Sequence, residues 1–440
     1  MKKYIKHLAV LIAIVVGLAG FLAFKWSPGQ SDGSIVVNCN MSPLSSRSMI
    51  GFLHSFNDTY PAQKLIDDVA PKTWRLGGNH LSANYRNSSL KSIRGRSITP
   101  ILVFSDYYSS QKDGKDQLFP ISAHLARYKE LVAQAYGKYG NNAIYDIWNE
   151  PNHPSYWKGS EADFFNAFKV AHDVIRSLPG GDQALISGPS TAGLDKEYIQ
   201  RFLTFCVNNN IKLDILSWHD FRNGDKLMQL KSDIQWAKDN WMKKYPSLGI
   251  KKVQLNEIIG PKDQYSPLVP LMYFNALEQS GADAACKGCW PNSKGVSNCN
   301  NNSLDGLINE AGQPRSIWWS YKYYNESTKG RLTSSSSSQD LIPFAYEAPD
   351  SSNEIRILLA NYKNDLGAVN VSLRQLRTVP AFTAKNSIVV ELYQIPDTEE
   401  DALSGPKLVS TKTVSIGSAA SPSFSIPDLA SNQVYLVKIR

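Results

Sequence analysis

The chain has 440 residues and a 42% hydrophobic share, enough to bury a large core and to fill more than one domain. Its formal net charge is +8, but no Lys/Arg run stands out and the aromatics are not interleaved with basic residues, which argues against nucleic acid as a partner. A solvated basic surface accounts for the charge; an acidic polysaccharide or an anionic membrane surface is the sharper reading.

The first 30 residues read as a targeting segment. Lys2, Lys3 and Lys6 precede an apolar run from Leu8 to Phe24. That run is at the short limit for a spanning helix and long for the apolar core of a signal peptide. No clean small-x-small site follows it, so the expectation is an uncleaved signal anchor, with a cleaved signal as the alternative. The lysines would stay in the cytoplasm and the remainder would cross the membrane. This places the protein in the cell envelope facing outward, or in the medium if the signal is removed. Residues 31–47 form a lead-in. Its strand-like Ile35–Asn38 is expected to join a C-terminal sandwich, because the barrel predicted next has no edge to offer.

From 48 to 330, short apolar runs alternate with helical stretches. Strand candidates are Met49–Phe56, Thr73–Leu76, Ile98–Phe104, Ile144–Trp148, Ala184–Ser187, Leu213–Trp218, Val253–Leu255 and Ala284–Cys286. They are short and mostly apolar, as strands buried on both faces should be. Helical patterns lie between them, at Ser122–Tyr139, Glu161–Leu178, Lys196–Asn208, Met228–Lys244 and Leu268–Gln279, and Arg315–Asn325 closes the series. Eight strand–helix units predict an α/β fold, a (β/α)8 TIM barrel with its chemistry at the carboxyl ends of the strands. From 331 to 440 the pattern turns to β, with runs at Glu354–Asn361, Val369–Leu373, Ser387–Tyr393, Leu408–Val414 and Gln433–Ile439. A C-terminal β-sandwich follows from this spacing. The serine run Ser334–Ser338 reads either as a linker or as the first edge strand of that sandwich.

Five cysteines are present, and Cys286, Cys289 and Cys299 cluster. One structural disulfide among these three is the expectation. The Cys286-Lys287-Gly288-Cys289 spacing also suits a redox or zinc site, but no fourth ligand has metal-ligand spacing. No phosphate loop, helical His pair or nucleophile elbow is present, so neither a metal nor an organic cofactor is expected.

Two candidate strands end in Asn-Glu: Ile144–Trp148 delivers Asn149-Glu150, and Val253–Leu255 delivers Asn256-Glu257. Two carboxylates at one barrel rim suit glycosidic hydrolysis with retained configuration, in which one is a protonated acid and the other an ionised nucleophile. The motif Asp146-Ile147-Trp148-Asn149-Glu150-Pro151-Asn152 resembles the retaining glycoside hydrolases of clan A, family 39 in particular. The resemblance continues through Tyr156-Trp157-Lys158-Gly159-Ser160, Phe164-Phe165, Ser187-Gly188-Pro189-Ser190-Thr191-Ala192 and Ser217-Trp218-His219. It also takes in Arg315–Asn325 and, more loosely, Ile355–Asn361.

The resemblance implies that Glu150 is the acid/base and Glu257 the nucleophile. It further implies that Asn149 bonds the sugar 2-hydroxyl, that Arg75 lies beneath the nucleophile, and that His219 lines the glycone subsite. His54 is a weaker carry-over. Two residues beyond His219 the family commonly has a tyrosine that touches the nucleophile. This chain has Phe221, so either another group restrains Glu257 or the register is displaced by one residue. Trp290, Tyr107, Tyr108, Tyr156 and Trp157 sit on loops at the same rim, where each could stack on a sugar ring or pack its own loop. The implied partner is an oligo- or polysaccharide. A glycan-binding barrel without turnover and a heparanase-like hydrolase of the same clan are the alternatives.

Overall fold

A computed structural model describes residues 33–39, 46–54, 62–77, 93, 95–105, 121–299, 301, 303–351, 353–417, 419 and 421–440. The apolar run Leu8–Phe24 lies outside them, as do Tyr107 and Tyr108. Among the described residues no helix is long and apolar enough to cross a membrane.

Eight parallel strands follow one another around a barrel in sequence order. They are β2 (Gly51–Leu53), β3 (Thr73–Leu76), β4 (Thr99–Val103), β5 (Ile144–Asp146), β6 (Leu185–Thr191), β7 (Ile215–Asp220), β8 (Lys252–Ile258) and β9 (Ala284–Lys287). The ends of the sheet meet where the Ala285 N–H donates to the Met49 carbonyl at 3.2 Å. Gly51 lies at this seam. A Cβ there would stand 2.5 Å from the Ala285 carbonyl and 2.3 Å from the Thr73 hydroxyl, so the first and last strands approach only because no side chain intervenes.

Helices Leu125–Tyr139, Glu161–Ser177, Lys196–Asn208, Leu230–Ala237, Val269–Ser280 and Ser316–Ser327 cover the outside. The Glu161 helix begins with a capping box, in which Ser160 accepts from the Asp163 N–H and the Asp163 carboxylate accepts from the Ser160 N–H. The helix expected over 228–244 is broken by a π turn at Lys238–Met242. A small apolar plug, including Leu53, Ile101, Ile144 and Ile215, fills the barrel.

The second domain holds two sheets. One runs β10 (Thr333–Ser336), β1 (Gly33–Asn38), β13 (Leu366–Arg374), β16 (Ser423–Leu429), and the other β11 (Leu341–Glu347), β12 (Ile355–Asn361), β17 (Gln433–Ile439), β14 (Ser387–Ile395), β15 (Lys407–Ser415). Its strand β1 (Gly33–Asn38) comes from before the barrel and lies parallel to β13 (Leu366–Arg374) and antiparallel to β10 (Thr333–Ser336). The serine-rich run is therefore in part an edge strand. Strands β11 (Leu341–Glu347) and β16 (Ser423–Leu429) also form, although no sequence run announced them. Each carries a proline, Pro343 or Pro427, and each stands at a sheet edge, where a missing N–H is tolerated.

One disulfide forms among the three clustered cysteines, as expected. Cys289 pairs with Cys299, and Cys286 is a free, buried thiol. The Cys286 sulfur lies against the Thr73 hydroxyl at 3.6 Å, and burial pushes its pKa up to about 12, so it stays protonated.

Candidate active site

Glu150 and Glu257 emerge at the carboxyl ends of β5 and β8, on one rim of the barrel. The backbone at Glu150 is left-handed, with φ 46°, an uncommon conformation for a residue with a side chain. It is held from both sides. The Glu150 N–H donates to the Ser190 carbonyl at 3.0 Å, and the Glu150 carbonyl accepts from the His153 N–H at 2.9 Å. A strained turn of this kind aims the side chain across the barrel mouth.

Arg75, on β3, is the hub. Its Nη1 donates to Glu257 Oε1 at 2.7 Å, its Nη2 to Asn149 Oδ1 at 2.9 Å and its Nε to Asp146 Oδ2 at 2.9 Å. A planar guanidinium can hold three acceptors in fixed directions, which a flexible ammonium cannot. It meets two carboxylates, one fully buried on Asp146 and one on Glu257 that opens to the cleft.

Beneath Arg75 lies a polar layer. Asp146 also accepts from the Ser190 hydroxyl at 2.6 Å and from Asn256 Nδ2 at 3.0 Å, and Ser190 contacts the Ser217 hydroxyl at 2.7 Å. Ser105 completes the support by accepting the Asn149 N–H at 3.1 Å. The sequence reading quoted Asp146, Ser190, Ser217 and Asn256 inside its motifs but gave them no role. The available signal was their polarity at positions that β alternation turns inward.

His219, at the end of β7, is fully buried and faces both glutamates. Its Nδ1 is 2.7 Å from Glu150 Oε1 and 4.0 Å from Glu257 Oε1. The two carboxyl oxygens therefore stand no farther apart than the sum of these distances, ~6.7 Å, which puts their greatest possible separation at the short end of the ~6.5–9.5 Å typical of inverting enzymes. Burial lowers the His219 pKa to about 4, against the attraction of Glu257, so the imidazole is neutral near pH 7. Burial also raises the pKa of Glu150, while Arg75 and His153 oppose it. A neutral imidazole can orient Glu150 without adding a charge that would pull its proton away.

His219 and Glu257 are opposite each other in the β7–β8 pairing, just after a bulge. That adjacency fixes the position of Phe221 two residues later, where no hydroxyl is available. The restraint on Glu257 comes from Arg75 instead. Phe221 packs between His219 and Trp290, with ring centroids 5.8 Å and 5.1 Å away. The Trp290 indole N–H donates to the Ile259 carbonyl at 2.8 Å, which leaves the ring half-buried at the rim.

Other expected contacts fall elsewhere. Trp157 is buried, edge-on to Trp148 at 5.0 Å and to Phe164 at 5.6 Å, so its faces are taken by packing rather than open to a sugar. Tyr156 is exposed. His54 follows β2 with φ 52°, its carbonyl accepts the Trp74 indole N–H at 2.9 Å, and its ring neighbours the Cys289–Cys299 bridge. A zinc reading of that trio does not fit, because both sulfurs are spent in the disulfide.

The family model of glycosyl hydrolases family 39 matches residues 106–254, which include Glu150 and His219. The chain resembles family 39. A β-xylosidase from Geobacillus stearothermophilus is 29% identical over 79 residues, 18% of this chain and 15% of that enzyme. The aligned segment is thus a small part of the curated relative. Among solved structures, N2152 from Neocallimastix frontalis superposes with a TM-score of 0.71 at 17% identity, covering 92% of this chain and 99% of that one. A glucosidase from Croceicoccus marinus gives 0.66 at 13% identity, with 92% and 98% covered. At these identities the likeness is one of fold. It extends over both the barrel and the sandwich.

Proposed function

We propose that the protein is a retaining glycoside hydrolase acting on an oligo- or polysaccharide by double displacement. The observation that carries this reading is the single nitrogen, His219 Nδ1, within 4.0 Å of both glutamates. Sharing one nitrogen, the two carboxyls face the same space, and a spacing shorter than the ~6.7 Å bound favours direct attack on one anomeric carbon over attack by an intervening water. Glu257, ion-paired to Arg75, is the nucleophile. Glu150, whose pKa burial raises, is the acid.

In the first step the Glu257 carboxylate attacks the anomeric carbon as the glycosidic C–O bond breaks. Glu150 transfers its proton to the departing oxygen, and a covalent glycosyl-ester remains. In the second step Glu150, now ionised, takes a proton from water. The water oxygen bonds to the anomeric carbon, Glu257 leaves as carboxylate, and the configuration is restored. Arg75 stabilises the charge on Glu257 at the beginning and the end of the cycle. Asn149, fixed by Arg75 and Ser105, is positioned to hydrogen-bond the 2-hydroxyl, a contact that strengthens as the ring flattens.

The test is hydrolysis of a panel of aryl glycosides and extracted polysaccharides, with the first-formed anomer read by proton NMR. Release of the retained anomer is expected. An inverted first product would exclude double displacement, and binding without product across the panel would exclude turnover.

A further inference from the structure

The amino-terminal end of the barrel, opposite the glutamates, carries a second cavity of about 510 Å³. It opens among the first residues of the barrel strands, Lys252 of β8 included. A volume of this size lies within the ~300–1,000 Å³ of small-ligand pockets.

Its lining is strongly basic. Lys72, Lys252 and Lys329 border it, and none has a carboxylate partner among the described residues. Arg47 also borders it but is neutralised by Asp283 at 2.6 Å, and Asp283 accepts the Val253 N–H as well. Three positive charges therefore face one cavity without compensation. Lys72 and Lys329 are exposed and Lys252 is half-buried, so the three are hydrated while the cavity is empty and attract an anion that enters it.

The second observation is Gln254. It is 2% exposed, lines the cavity, and its Oε1 has no hydrogen-bond partner among the described residues. On β8 it shares the inward face with Asn256, one layer nearer the bottom of the barrel. That oxygen is closed to solvent as it stands, so a donor entering the cavity meets it only after a turn of the Gln254 amide.

We propose that this cavity is a second binding site, for an anionic saccharide: its acid groups meet the three lysines and one of its hydroxyls donates to Gln254. Inorganic sulfate would answer the lysines but brings no donor. A neutral sugar would answer the amide but leave the charges unmet. The anionic part of the assignment stands on the cavity alone, and the saccharide part rests on the glycosidase reading.

The test is calorimetric titration of the full chain with digalacturonate, cellobiose and sodium sulfate. Digalacturonate should bind most tightly. The Lys72→Gln/Lys252→Gln/Lys329→Gln variant should bind it roughly tenfold more weakly, the scale of several lost surface charge contacts. Gln254→Leu should erase the preference over sulfate. Because its site is buried and the variant could misfold, the exposed-lysine variant carries the test independently. No digalacturonate binding, binding undiminished in the lysine variant, or sulfate binding equally well would overturn the proposal. Turnover of aryl glycosides in the same preparations separates the two readings. Binding without turnover sinks the glycosidase assignment and keeps the anionic site, while turnover without binding does the reverse.

Discussion

Arg75 divides one guanidinium among Asp146, Asn149 and Glu257, and that division determines its response to substitution. Arg75→Lys keeps the charge but cannot reach all three acceptors, so Glu257 loses its fixed direction. Steady-state kinetics on an aryl glycoside should show kcat reduced by roughly 100-fold, the usual effect of a slight misplacement; a wild-type kcat would remove Arg75 from the mechanism. Glu150 has its pKa raised by burial, so kcat/KM should fall as pH rises through a value above the ordinary carboxylate range. With a good leaving group, Glu150→Gln should retain slow turnover and lose that basic limb. His219 acts in the opposite direction on stability. Its folded pKa is about 4 against an unfolded ~6.5. Its contribution is complete above the unfolded value and is lost as pH falls toward 4, amounting to about 3 kcal/mol. Urea titrations at pH 7.5 and 4.5 should show this loss, and His219→Asn should show less of it.

The strands were legible where they are buried on both faces, and they became obscure where they turn polar. Thr73–Leu76 appears in the structure with the bounds its apolar run predicts. Strands β6, β7 and β8 run on past their apolar stretches to Thr191, Asp220 and Ile258. Those extensions hold Ser190, His219, Asn256 and Glu257, the inward-facing polar residues of the site. The chemistry thus interrupts the very pattern from which strand ends are read. The Asn-Glu pairs were visible because each follows an apolar run. The serine layer under Arg75 was not, since serine at a strand end has no distinguishing mark until the strands are closed into a barrel. The loop after β9 shows a similar limit: three cysteines were candidates, and only the fold separates Cys289 and Cys299 from Cys286. That bridge closes a short loop beginning one residue before Trp290. Cys289→Ser/Cys299→Ser should cost roughly 2–3 kcal/mol by the loop-entropy relation. Thermal melts with and without reductant should show the difference in wild type and none in the variant.

The two domains share one core. Ile342, Phe344, Leu358 and Leu436 of the sandwich belong to the same apolar cluster as Trp318 and Tyr324 of the last barrel helix. The Tyr324 and Phe344 rings meet edge to face at 5.5 Å, and Arg356 reaches Glu326 at 2.8 Å. Burial on this scale ties the melting of one part to that of the other. Calorimetry should therefore record a single transition, and two resolved peaks would show that the domains unfold separately. The strand β1 adds a constraint in time. It precedes the whole barrel, yet its parallel neighbour β13 comes roughly 330 residues later, so at ribosomal speed it waits for tens of seconds before that partner exists. During that interval both of its edges are open to any other nascent chain. The barrel can close in its absence, but the sandwich cannot. The first of the described strands to be made is thus among the last to find its place, and the chain must be kept from aggregating until β13 has been synthesised.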